Sequence, residues 1–113
     1  MKLLFISACL LLLSAACKKN DKWLCCAMPP VEFVRTQTQC ADSWGYGGSN
    51  DATIARLNSY LLLQKITAEK ITLQASGEQA TCAACTCSNG MVFHVWAQPQ
   101  YIDSLIKQGF TIK

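Results

Sequence analysis

Cys82-Ala83-Ala84-Cys85-Thr86-Cys87 puts three thiols within six residues, and Cys40 is the next cysteine upstream. Such a set suits three chemistries. Four thiolates, from Cys40, Cys82, Cys85 and Cys87, could hold a tetrahedral zinc ion. Cys82 and Cys85, at C-x-x-C spacing, could form a thioredoxin-like redox pair. That chemistry needs a helix N-terminus or a cation to depress a thiol pKa, and the sequence shows neither beside Cys82. The third use is structural. Of the eight cysteines, Cys9 and Cys17 lie in or at the end of an N-terminal apolar run. The other six (Cys25, Cys26, Cys40, Cys82, Cys85 and Cys87) are an even number, as a disulfide framework in a small exported domain requires. The disulfide reading is the expected one, and it calls for no cofactor.

The remaining candidates suit binding better than catalysis. In Trp44-Gly45-Tyr46-Gly47-Gly48, rigid aromatics alternate with glycines, a composition found on binding loops. The same residues also describe a turn needing positive φ, with Trp44 capping the core. The segment lacks the Lys-Ser/Thr ending of a phosphate loop. His94 and Trp96 fall two apart in an alternating strand, on the face opposite Met91, Phe93 and Val95, where they could form a docking patch. Asp42 and Asp51 flank the glycine loop, and helix capping accounts for Asp51 as well as acid–base chemistry does. No nucleophile, base and orienting group come together, so the chain is not expected to be an enzyme.

These residues need elements to position them. Val31 to Gln39 is β-branched and partly alternating, and reads as a strand ending at Cys40. After a loop, Asn50 or Asp51 can cap a helix running to about Lys65, with Ile54, Leu57 and Leu61 on one stripe. Lys70–Ala75 alternates as a second strand, Ser76–Gly90 reads as a cysteine-rich loop, and Met91–Ala97 is a third strand. Pro99 opens a short helix with Ile102, Leu105 and Ile106 on one stripe, and Gly109 ends it. Phe110 and Ile112 close with an edge strand.

The order β-α-β-β-α-β resembles the ferredoxin-like split βαβ arrangement, an α+β fold. Right-handed crossovers would put both helices on one face of a four-stranded antiparallel sheet. That resemblance implies that strand one pairs with strand three, and that the end of strand one lies beside the hairpin after strand two. Cys40 is then expected to bond Cys82, Cys85 or Cys87, with Cys25 and Cys26 taking the other cluster members and no bridge inside the cluster. The shape is also similar to heavy-metal-associated domains. Their Cys-x-x-Cys sits after strand one, where this chain has only Cys40, so their metal-transfer role does not carry over.

At the N-terminus, Lys2 precedes a fourteen-residue apolar run, Leu3 to Ala16. As a helix it would reach about 21 Å, short of the ~30 Å hydrocarbon core, yet it suits a secretory leader. It ends in Leu13-Ser14-Ala15-Ala16-Cys17, which resembles the lipobox of bacterial lipoproteins. The usual lipobox has Leu at −3, where this chain has Ser14. The resemblance implies lipid attachment at Cys17, cleavage of residues 1–16 as a signal peptide and a lipidated tether over residues 17–30. The segment Lys18-Lys19-Asn20-Asp21-Lys22 is similar to that of Bacteroidota lipoproteins, which implies the outer membrane and, in some cases, its outer face.

Residues 31–113 form the single folded domain on this reading. They carry six basic and six acidic side chains, so the +3 of the whole chain resides in the leader and tether. A body without excess positive charge is unsuited to nucleic acid, whose binding rests on releasing counterions. The sequence therefore predicts a lipid-anchored envelope lipoprotein, membrane-bound through its N-terminus, whose stapled domain is a non-catalytic binding or structural module. The partner, protein or small molecule, is left open. Thiolate metal binding and thiol–disulfide exchange stand as the alternatives.

Overall fold

The computed structural model describes residues 28–78 and 82–113. The elements are β1 (Val31–Thr38), α1 (Asn50–Leu63), β2 (Ala68–Ala75), β3 (Ser88–Ala97), α2 (Ile102–Lys107) and β4 (Thr111–Ile112), with a 3₁₀ turn at Pro99–Tyr101 before α2. The strands make one sheet in the order β2-β3-β1-β4. Every pairing in it is antiparallel. The described residues are thus α+β, with a four-stranded antiparallel sheet and two helices.

Register explains the core. Phe33 lies opposite Val95 and Arg35 opposite Phe93, while Ile71 and Leu73 meet Val95 and Phe93 from the other side. Side chains alternate along a strand, so these residues share one face. Against Phe33, Leu73, Phe93 and Val95 pack Leu57 and Leu61 of α1 and Leu105 of α2. Burying one such side chain contributes about 1.5–3 kcal/mol.

Both helices stop in the same way. After α1, Lys65 takes φ 60°, its N–H donates to Leu62 O (3.0 Å), and the N–H of Ile66 donates to Leu61 O (2.9 Å). After α2, Gly109 takes φ 88°, donating to Ile106 O (3.0 Å), and Phe110 N–H donates to Leu105 O (3.1 Å). Each is a Schellman stop, with the residue after the left-handed position returning to the helix's last apolar turn. Ile66 and Phe110 are both buried there, so each stop also anchors the next strand.

Three sequence expectations change. The cap of α1 is Ser49, whose Oγ accepts from Ala52 N–H (3.1 Å); Asn50 and Asp51 lie within the first turn. β3 begins at Ser88, earlier than its apolar alternation, because Ser88 pairs with Thr38 of β1 beyond an irregularity between Thr36 and Thr38, and Gly90 O accepts from Ser76 N–H (2.8 Å). On α2, Leu105 is buried but Ile106 is half exposed, so the apolar stripe is narrower than its spacing suggests.

Candidate functional site

β1 does not stop pairing at Thr38. Gln39 N–H donates to Cys87 O (2.8 Å) and Cys40 N–H to Cys85 O (3.1 Å), which carries the ladder to the hairpin tip. Cys40 thus sits opposite Cys85, and the two are disulfide-bonded across 45 residues of sequence, with Cα atoms 4.5 Å apart. A turn closed by Cys87 N–H on Ala84 O (3.0 Å) folds the run back, and Cys82 bonds Cys87. This corrects the expectation that no bridge would form inside the cluster. The turn brings Cys82 and Cys87 together while the ladder reserves Cys85 for Cys40. With the cluster paired, Cys25 and Cys26 have no partner in it, and they themselves lie outside the described residues, as does Cys17. Nor do Cys82 and Cys85 form the C-x-x-C bond of a redox pair. All four sulfurs that could have held zinc are in disulfides. Among the described residues, no group of three or more His, Cys, Asp or Glu side chains is placed to hold a metal ion.

Asp42 organises the loop after β1. Its side chain is 6% exposed. It accepts from Thr38 N–H (3.3 Å) and Thr38 Oγ1 (3.1 Å), and lies 3.5 Å from Arg35 Nη2. The Arg35 guanidinium covers the Trp44 ring at 4.6 Å. Trp44 is a core residue, not a binding residue: it is buried, with Tyr60, Phe93 and Phe110 at 5.4, 5.5 and 6.3 Å between ring centroids. Its burial removes it from the binding surface that the aromatic–glycine pattern suggested. Its indole Nε1 is buried without a partner among the described residues. Gly47 lets the loop press on α1, since a Cβ there would come 2.5 Å from the Ala52 carbonyl carbon. Tyr46, by contrast, is 62% exposed.

Between this loop and the strand ends lies a cleft of about 130 Å³, with Gln37, Thr38, Asp42 and Asn89 inside and Gln39 and Tyr46 among its other walls. Gln37 is 4% exposed. Its Oε1 accepts from Asn89 Nδ2 (2.6 Å), and Asn89 Oδ1 accepts from Met91 N–H (3.0 Å). Gln39 Nε2 donates to Ser88 O (3.2 Å). Sequence reasoning passed over Gln37 and Asn89. The available signal was alternation: Val31, Phe33, Arg35 and Gln37 share the core-facing register, and polar side chains there mark where the strand leaves the core.

His94 and Trp96 lie on the other face of the sheet, as their alternation predicts, and do not join Tyr46 in one surface. His94 Nδ1–H donates to Glu32 Oε1 (2.7 Å), which Lys113 Nζ also reaches (3.1 Å). The His94 hydrogen bond, reinforced by Lys113, holds the Glu32 carboxyl below its ordinary value. The Trp96 ring stacks near His94 (6.0 Å, 21°) and is capped by Lys70 Nζ at 4.9 Å. These side chains largely satisfy one another.

No family model, curated protein or solved structure matches the chain.

Proposed function

We propose that the protein is a lipid-anchored module of the bacterial cell envelope, held to the outer membrane by acyl chains on Cys17, whose folded part binds a partner and catalyses nothing. The finer fold reading is ferredoxin-like; the strand order and the antiparallel pairing of β1 with β3 support it. The observation that carries the binding reading is the cleft whose wall is tied by the Cys40–Cys85 bond and the extended ladder. A rigid wall lowers the ordering cost of binding. Disulfides suit an exported protein, since they persist in oxidising compartments. The non-catalytic reading rests on Asp42, the one carboxylate lining the cleft among the described residues, which is engaged by Thr38 and Arg35 rather than left to move protons.

Intact mass of the full chain from membranes, before and after reduction and chelation, tests this reading. The expected result is acylated protein without metal that gains at least four hydrogens on reduction, two for each of the two disulfides among the described residues. Bound zinc or copper with free thiols would overturn it in favour of metal binding, and an unacylated Cys17 would remove the anchor.

A further inference from the structure

We propose that the cleft beside the Cys40–Cys85 disulfide binds a neutral, hydroxyl-rich ligand, a terminal saccharide unit; the proposal rests on the binding-module reading and names its ligand class. Charge is the first argument. The side chains available to a ligand are the amides of Gln37 and Gln39 and the phenol of Tyr46. Asp42 is the one ionised group lining the cleft among the described residues, and its oxygens are occupied by Thr38 and by Arg35. A charged ligand would give up hydration for no countercharge. A neutral hydroxyl both donates and accepts, as a primary amide does.

The second argument is an incomplete hydrogen-bond set. Gln37 is more than nine-tenths buried and lines the cleft. Its carbonyl oxygen is taken by Asn89, and its Nε2 makes no hydrogen bond to a described residue. A ligand hydroxyl oxygen can accept from that amide donor. Tyr46 supplies the third argument. It leaves a large ring surface in solvent at the cleft, and a ring of this kind is a rigid platform with an apolar face and a polar tip. The C–H face of a pyranose packs on such a ring while its hydroxyls reach the amides. Size agrees: about 130 Å³ is well below the roughly 300–1,000 Å³ of pockets for drug-sized apolar ligands, and suits one ring at the end of a chain.

The test is nuclear magnetic resonance of the ¹⁵N-labelled full chain in phosphocholine micelles, which carry no sugar headgroup, titrated with maltose, cellobiose and diacetylchitobiose. At least one sugar is expected to shift the side-chain amides of Gln37 and Asn89 in a saturable way. Tyr46→Ala, at an exposed position that the fold does not need, is expected to weaken that binding about tenfold. No saturable shift of these amides with any of the three sugars would overturn the proposal. So would shifts confined to His94 and Trp96, or binding that Tyr46→Ala leaves unchanged. A capped alanine tripeptide that shifts the cleft amides where the sugars do not would overturn the ligand class and leave the binding module standing. The binding reading itself fails by the separate route of metal and free thiols in the intact mass.

Discussion

Asp42 illustrates how a single side chain can hold a site without taking part in chemistry. Removing it would strand the guanidinium of Arg35, whose side chain is only 23% exposed, and free the Thr38 N–H and hydroxyl. Hydrogen bonds to charged groups contribute about 1.5–3 kcal/mol, so Asp42→Ala is expected to destabilise the domain by about 2–3 kcal/mol in urea unfolding. Glu32, on the opposite face, gives a pH signature. Its carboxyl titrates below the ordinary 4.5 in the folded state, first because of His94 and then Lys113. A depressed carboxyl contributes stability that is present above the ordinary value and lost as pH falls through the folded one. Glu32→Gln should therefore lower the melting temperature at neutral pH and flatten its fall as the pH drops below about 5. An unaltered acid limb would contradict this account. The roles of Asp42 and Trp44 were illegible in the sequence for one reason. Each has two readings, functional or structural, and only the positions of Arg35 and the ring cluster decide between them.

At the scale of elements, periodicity carried what it could. Leu57 and Leu61 mark α1, and Phe93, Val95 and Ala97 mark the buried side of β3, because burial repeats with the period of the element. Boundaries set by hydrogen bonds were less visible. Ser49 caps α1 although Asn50 and Asp51, equally good capping residues, follow it, and β3 starts at Ser88, ahead of the turn-like Asn89-Gly90, where pairing with Thr38 extends the strand. The two helix stops offer a direct comparison, since Gly109 meets the left-handed conformation without strain and Lys65 does not. A side chain there costs about 1–2 kcal/mol, partly offset by the greater freedom of glycine when unfolded, about 0.5–1 kcal/mol. Lys65→Gly is expected to stabilise the protein by up to about 1 kcal/mol, measured by thermal unfolding; destabilisation would mean that the lysine makes a contact that matters more than its backbone strain.

For the whole molecule, the strand order decides which distant residues become neighbours. It brings Cys40 to the β2–β3 hairpin, and with it Gln37, Asn89 and Tyr46 to one end of the sheet. That Cys40 should reach the cluster followed from the resemblance of the element order to the ferredoxin-like arrangement. Which cluster cysteine it takes did not, because the choice depends on the tight turn at Ala84–Cys87. The two bonds should contribute unequally. In the chain-entropy account, a bridge spanning 45 residues contributes about 4 kcal/mol and one spanning 5 about 2 kcal/mol. The paired variant Cys40→Ser/Cys85→Ser is thus expected to lose about twice the stability of Cys82→Ser/Cys87→Ser, and to loosen the cleft wall as well.

The pairing itself is the central claim, since the cleft, its rigid wall and the engagement of all four cluster-region sulfurs, Cys40, Cys82, Cys85 and Cys87, depend on it. Digestion of the unreduced protein with a protease of broad specificity, followed by tandem mass spectrometry that fragments the chain between Cys82, Cys85 and Cys87, reads it directly. The account predicts Cys40 joined to Cys85 and Cys82 joined to Cys87. Cys40 joined to Cys25 or Cys26, or cluster cysteines recovered as free thiols, would contradict it.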